Sequence, residues 1–252
     1  QAAITYPRSA SVMRRLYCAS CILSPDSSRS QHSLRGQDRL PPLVTDVSRW
    51  PGEPTSLDSV AISARIRSQA AVASVKVLYN VDLKPPATAV DAFDDGAHGD
   101  AETGDGVYGA RLPSFPHNTA VTFQIEVRDV TGGVALSPPE SDPTGLHGFY
   151  VNDLHPTTPL PVYSVLLQHK STQKPRSVIA RLDCLHYWTG AFALRGDLYP
   201  KVGIRMRGAS VCMTPKPYLK LRFQRGRELA GQHKLNLQSL WTDKSLVRER
   251  LS

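Results

Sequence analysis

The chain lacks the features that would place it in a membrane or stabilise it through many cysteines. Its 252 residues contain no run of about 18 apolar side chains, which excludes a transmembrane helix. The apolar stretch at residues 2–6 is too short for a signal peptide, and arginines follow it instead of preceding it. Of only four cysteines, Cys18 and Cys21 form a lone C-x-x-C pair without the second pair that a zinc site needs.

Acidic and basic side chains are unevenly distributed along the chain, whose net charge is +8. Residues 58–137 carry 6 basic and 10 acidic side chains, whereas residues 162–252 carry 17 basic and 5 acidic ones. The total therefore combines a segment of −4 with a segment of +12. This asymmetry predicts two functional units, of which the C-terminal one meets an anion.

Hydrophobic periodicity divides the chain into four parts. Residues 1–43 show no periodicity and predict a disordered leader. Residues 44–137 contain short runs with period-two alternation, such as Val60, Ile62, Ala64 and Ile66, separated by turn residues. This pattern predicts an antiparallel β-sandwich of the immunoglobulin or fibronectin type III kind. Residues 138–161 are rich in proline and predict a linker.

Residues 162–252 form the fourth part, for which we predict an incomplete α+β lobe. Strands are expected at residues 161–167, 191–195, 201–207 and 217–223. Residues 242–251 begin with capping residues and predict a helix. The expected fold class is therefore mainly β with a minor helical contribution.

An acidic loop lies inside the predicted sandwich, at residues 94–106. Four aspartates share this loop with four glycines: Asp94, Asp95, Asp100 and Asp105. Closely spaced carboxylates on a glycine-rich turn can wrap Ca²⁺, although the spacing is not that of an EF-hand. Alternatively, Asp and Gly simply supply the backbone angles of a long hairpin turn. The sequence leaves both interpretations open.

Two strands of the C-terminal part combine an apolar face with a basic one. Alternation along residues 201–207 and 216–223 separates their basic side chains from the apolar ones, which are expected to enter a core. The basic side chains are Lys201, Arg205, Arg207, Lys216, Lys220 and Arg222. Gly208 and Ser210 lie at the turn between the strands, where backbone amides and a hydroxyl could approach a phosphate. The pattern favours a polyphosphate site over a merely solvated face.

These segments resemble the CotH kinases, a family of atypical protein kinases named for a spore-coat protein. The resemblance rests on YPKVGIRMRG at residues 199–208, KPYLKLRF at 216–223, HKLNLQS at 233–239 and DKSLVRERL at 243–251. It covers residues 162–252 and corresponds to the N-terminal lobe of the kinase domain. The preceding sandwich, with its acidic loop, is similar to the module that precedes this domain in secreted bacterial members.

The resemblance implies ATP with Mg²⁺ or Mn²⁺ as cofactor and a protein as phosphate acceptor. Arg205, Arg207, Gly208 and Ser210 would then surround the phosphates, and Lys216 or Lys220 would neutralise them. Glu249, on the terminal helix, would hold that lysine. Family members commonly carry Asn where this chain has Ala209. The resemblance also implies secretion, or a place on the cell surface or spore coat of a bacterium.

The acidic residues that perform phosphoryl transfer in this family lie beyond the segment that matches. No acidic residue of 162–252 stands at a family catalytic position, so we expect this polypeptide not to transfer phosphate by itself. A second hypothesis is a non-catalytic surface or spore-coat protein that binds acidic polymers. Nucleic-acid binding is a weaker third hypothesis, because the aromatic residues do not alternate with the basic ones.

Overall fold

A computed structural model describes residues 40–84, 87–142, 144–154, 162–167, 182, 184–207 and 218–238. Its strands are β1 (Leu43–Trp50), β2 (Val60–Arg67), β3 (Val72–Val81), β4 (Thr88–Asp91), β5 (Val107–Leu112), β6 (Ala120–Asp129), β7 (Val134–Ser137), β8 (His147–Tyr150), β9 (Tyr163–Leu167), β10 (Trp188–Leu194), β11 (Asp197–Met206), β12 (Leu219–Arg222) and β13 (Lys234–Leu237). All pairings between these strands are antiparallel. The described part is therefore mainly β and contains no helix. The predicted leader and the predicted helix at residues 242–251 lie outside it, apart from residues 40–43.

The N-terminal strands form the expected sandwich. One sheet has the order β1-β2-β5, and the other places β4, β3 and β6 side by side, with β7 and β8 along the far edge of β6. Period-two alternation buries one face of each central strand, as Val60, Ile62 and Ala64 show on β2. The two inner faces meet in one hydrophobic core, which also holds Phe123 and Phe149. Two antiparallel sheets packed face to face in this way form a β-sandwich.

Strand β8 corrects the prediction that residues 138–161 are linker throughout. Residues 147–150 pair with Ala120, Val121, Thr122 and Phe123 of β6, directly before the stretch of β6 that pairs with β7. On its other edge β8 meets β11, where Phe149 lies opposite Asp197 and the amide of Tyr150 donates to the carbonyl of Gly196 at 2.9 Å. The backbone polar groups of this short segment are thus satisfied from both sides.

The C-terminal strands continue this sheet beyond β8 in the order β11-β12-β13, while β10 and β9 extend from the other side of β11. Their apolar faces enclose a second core around Phe192, Ile204, Leu221 and Phe223, each at most 1% exposed. No helix long and apolar enough for a bilayer span occurs among the described residues.

Two arginines link the sandwich to the C-terminal strands. Arg49 of β1 donates to Asp197 of β11 at 2.6 Å and also to the carbonyl of Gly52. Arg227, which follows β12, donates to the carbonyl of Leu146 at 2.6 Å. Its Nε lies 3.3 Å from Oδ2 of Asp142, close enough for an ion pair although not in hydrogen-bonding geometry. These contacts position the C-terminal strands against the sandwich.

Candidate functional site

The predicted grouping of basic side chains is present on the outer surface of β11, β12 and β13. In the register of β11 and β12, Arg205 lies opposite Lys220, and Gly203 lies opposite Arg222. Their neighbours Ile204 and Leu221 point the other way and are fully buried. The next pairing places Lys234 of β13 opposite Arg222. We call the surface formed by Arg205, Arg207, Lys220, Arg222 and Lys234 the basic face.

Like charges meet directly across the strands of the basic face. Arg205 is opposite Lys220, and Arg222 is opposite Lys234. Side chains in such positions have their Cβ atoms about 5 Å apart, so the two cations of each pair repel. A bound anion would remove this repulsion and would receive charge-assisted hydrogen bonds. The geometry therefore makes the basic face a candidate site for phosphate-like groups.

An aromatic ring occupies the centre of the basic face. The ring of Tyr187 lies over Gly203, where an added Cβ would be 3.1 Å from the ring. The guanidinium carbons of Arg205 and Arg222 lie 5.2 and 4.8 Å from its centroid. Both distances are within the range of cation–π attraction, which offsets part of the repulsion between the cations.

The ring also changes the role that the sequence suggests for Arg205. This half-buried side chain donates a hydrogen bond to the carbonyl of Cys184, a residue that is itself disulfide-bonded. Arg205 thus binds the segment before β10 to the sheet, and its guanidinium also contacts the ring of Tyr187. Arg207 and Lys220, both half-buried, form the part of the basic face nearest the turn after β11.

Several predicted phosphate-binding residues lie outside the described residues. These are Gly208, Ser210, Lys216 and Glu249. Of the predicted set, the structure therefore brings together Arg205, Arg207 and Lys220. Sequence reasoning missed Tyr187 and Lys234 as members of this surface. Two features of the sequence could have indicated these residues. Gly203 leaves room for a ring among the basic side chains, and residues 234–237 alternate with period two.

The acidic loop connects β4 to β5, and its carboxylates accept hydrogen bonds from the loop's own backbone. Asp94 accepts from the amides of Gly104 and Gly106, at 2.7 and 3.1 Å. Asp100, only 7% exposed, accepts from the amides of Gly96 and His98 at 2.6 and 3.1 Å. The carboxylates thus act as acceptors that close tight turns, the role that the second interpretation of this loop assigns to them.

The remaining two aspartates of the loop also have protein partners. Asp95 contacts Nδ1 of His98 at 2.9 Å, and this hydrogen bond, with that from the amide of Ala97, lowers the pKa of Asp95. Asp105 accepts from the amide of Val107 at 2.8 Å. Within the described ranges, no cluster of three or more His, Cys, Asp or Glu side chains could hold a metal ion. Calcium binding by Asp94, Asp95, Asp100 and Asp105 stays a prediction.

Replacement of Asp100 by alanine tests the structural role of the loop. The change leaves the amides of Gly96 and His98 without their acceptor, so we expect the free energy of unfolding to fall by about 2 kcal/mol. Glu102→Ala, an exposed change in the same loop, serves as the control and should have almost no effect. Denaturant titration without and with Ca²⁺ distinguishes the two interpretations. A midpoint that rises with Ca²⁺ in the wild type, but not in Asp100→Ala, would favour a calcium site.

A cavity of about 270 Å³ lies where the sandwich meets the C-terminal strands. We call it the inner cavity; His147, Tyr199, Phe223 and Arg227 line it. Burial, and after it the nearby charge of Arg227, lowers the pKa of His147 to about 4 against the opposing effect of Asp142. His147 is therefore neutral at pH 7, with its Nε2 at 3.1 Å from the hydroxyl of Ser137. Burial also disfavours the charged form of Tyr199 and so raises its pKa.

Comparison of the chain with protein-family models and with curated proteins finds no match.

Proposed function

We propose that the basic face binds the phosphates of a nucleotide, as part of the N-terminal lobe of a CotH-type protein kinase. The observation that carries the proposal is the pairing of Arg205 with Lys220 on adjacent strands, with Arg207 beside them. A kinase N-terminal lobe needs a strand lysine that neutralises the nucleotide phosphates next to a glycine-containing turn. Lys220 is the described candidate for this lysine, and Lys216 is the other candidate.

The residues of the basic face fit a polyphosphate. Lys220 offers three donors on a mobile ammonium, while the planar guanidinium of Arg207 can donate two parallel hydrogen bonds to one phosphate. The described residues contain no cluster of three metal-ligating side chains. We therefore assign no residue of this part of the chain as a ligand of Mg²⁺ or Mn²⁺. ATP would supply the phosphoryl group when bound, and the role assigned to these side chains is to bind and orient its phosphates.

A second candidate function is binding of acidic polymers by a non-catalytic surface or spore-coat protein. The observation that favours it is the extent of the basic face, which crosses three strands through Arg222 and Lys234. A polymer could contact all five cations, whereas the nucleotide proposal uses only three of them. The disulfide at Cys184 supports an oxidising environment such as the cell exterior for either function.

ATP binding by the intact chain tests the first function. In calorimetric titration, we expect the double variant Arg207→Ala/Lys220→Ala to bind ATP at least about tenfold more weakly, because charged donors are lost. The matched control is Lys84→Ala/Arg111→Ala, which removes two exposed charges from the sandwich. Equal losses in both double variants, or no ATP binding by the wild type, would contradict the proposal.

Inorganic polyphosphate distinguishes the two functions. If the basic face is a nucleotide site, ATP should bind more tightly than tripolyphosphate, and longer polyphosphates should gain little. If it binds polymers, affinity should rise with chain length and fall steeply with salt, with no preference for ATP. Lys234→Ala should then weaken binding of the long polymer by a larger factor than it weakens binding of ATP.

A further inference from the structure

Two arginines contact the ring of Tyr187, and they differ in what else can reach them. The guanidinium carbons of Arg205 and Arg222 lie over this ring, at 5.2 and 4.8 Å from its centroid. Arg205 is half-buried, donates to the carbonyl of Cys184 and has almost no accessible surface at Nε. Arg222 is exposed, and within the described part of the chain its side chain makes no hydrogen bond or ion pair. Of the two guanidinium groups, that of Arg222 is therefore the one open to a ligand.

Tyr187 holds the guanidinium of Arg222 at a defined place on the basic face. The ring rests against the backbone at Gly203, the residue opposite Arg222, where a side chain would crowd it. Cation–π attraction then favours the conformations of Arg222 in which its planar head lies over the ring. The side of this planar group that does not contact Tyr187 is a flat, positively charged surface. Nucleobases stack on guanidinium planes of this kind.

The cations that the proposed function assigns to phosphates lie beside this surface. Lys220 precedes Arg222 by two residues on β12, so their Cα atoms are about 7 Å apart. Arg205 lies opposite Lys220, and Arg207 is two residues farther along β11. A nucleotide separates its base from its first phosphate by one sugar, a length comparable with this step along the strand. A ligand whose phosphates lie along Lys220 and Arg207 can therefore place its base on Arg222.

We propose that Arg222, held in place by Tyr187, stacks against the base of the nucleotide and makes the basic face selective for a nucleoside triphosphate over bare polyphosphate. The inference rests on the function proposed above for this surface. Arg222 contributes through its plane, whereas Lys220 and Arg207 contribute through their charges. Tyr187 is a positioning residue, because it acts on the ligand through Arg222. No bond is made or broken in this recognition step.

The ratio of the dissociation constants of tripolyphosphate and ATP measures the contribution of the base. Calorimetric titration of the intact chain gives both constants. We expect the wild type to prefer ATP by at least about fivefold, the lower end of what stacking of one base contributes. Arg222→Lys keeps the charge but removes the plane, so this preference should fall to about twofold or less. Binding of tripolyphosphate should change by less than about twofold in the same variant, because the charge remains.

Matched variants separate stacking from charge. Arg111→Lys, the same exchange at an exposed residue of β5, is the control and should leave the preference for ATP unchanged. Tyr187→Phe keeps the ring and should keep the preference, whereas Tyr187→Leu should reduce it to about twofold or less. Should Tyr187→Leu fold poorly, the exchange at the exposed Arg222 still decides the question. The double variant Arg207→Ala/Lys220→Ala should weaken ATP and tripolyphosphate by similar factors.

Failure of this inference can be distinguished from failure of the proposed function. If the wild type prefers ATP and Arg222→Lys retains the full preference, the inference is overturned while nucleotide binding by the basic face stands. Equal affinity of the wild type for ATP and tripolyphosphate would also overturn the inference, and it would favour the second candidate function. Absence of ATP binding by the wild type would overturn both the inference and the proposed function.

Discussion

Replacing Phe223 with alanine is expected to lower the free energy of unfolding by about 3–5 kcal/mol. Phe223 is 1% exposed and lies at the centre of the C-terminal core. Its ring meets the rings of Phe192 and Tyr199 edge to face, with centroids at 5.5 and 5.7 Å. The substitution therefore removes a large buried surface and two favourable aromatic pairs, and it enlarges the inner cavity.

Urea unfolding followed by both fluorescence and circular dichroism measures this effect. Because β8 pairs with strands of both halves, we expect the two signals to report a single transition in the wild type. Leu57→Ala, at a residue that is 91% exposed, is the control and should change stability by less than about 0.5 kcal/mol. Two separate transitions, or a loss below about 1 kcal/mol for Phe223→Ala, would contradict this account of the core.

The second large effect is a loss of stability as the pH falls from about 6.5 to about 4. In the unfolded chain His147 takes up a proton near its ordinary pKa of 6.5, whereas in the folded protein burial lowers this pKa to about 4. Between these values the unfolded state binds more protons, so acidification favours unfolding. The whole difference would correspond to about 3.4 kcal/mol, and partial exposure of the ring reduces the expected loss to about 2 kcal/mol.

His147→Gln isolates this contribution, because glutamine does not titrate and can still pair with the hydroxyl of Ser137. The difference in stability between wild type and variant should change across pH 4–6.5 and stay constant above it. Burial would raise the pKa of Asp142, but hydrogen bonds from Thr144 lower it below its ordinary value of 3.8. Asp142 therefore changes its protonation state below the interval from pH 4 to 6.5. His186→Gln, at an exposed histidine, is the control. A parallel pH dependence in wild type and His147→Gln would show that another group is responsible.

Period-two alternation predicted which side chains share a face along most of β11, but not at Lys201, which lies in a β-bulge and is not part of the basic face. The separation of Arg205 and Arg207 from Ile204 is confirmed because the burial of one face fixes the orientation of every residue in β11. The sandwich strands β2, β3 and β6 were predictable for the same reason. The sequence does not reveal which residue of β12 faces Arg205, because this depends on the turn between the strands.

The features that sequence reasoning missed depend on contacts between distant parts of the chain. Strand β8 has four residues, one of them Gly148, and contains no periodic pattern long enough to detect. It becomes a strand because β6 and β11 offer backbone partners on both sides. Tyr187 joins the basic face only because Arg205, eighteen positions later, lies beside it in the folded chain.

Strand β8 also determines where the chain can be shortened. A fragment that stops after β7 would leave residues 120–123 of β6 without their hydrogen-bond partners along one edge. A fragment that starts at β9 would remove the strand beside Asp197 in β11. In each case an uncovered strand edge becomes a template for pairing with another copy, which promotes aggregation. A truncation that respects the fold must therefore keep residues 147–150 with both halves.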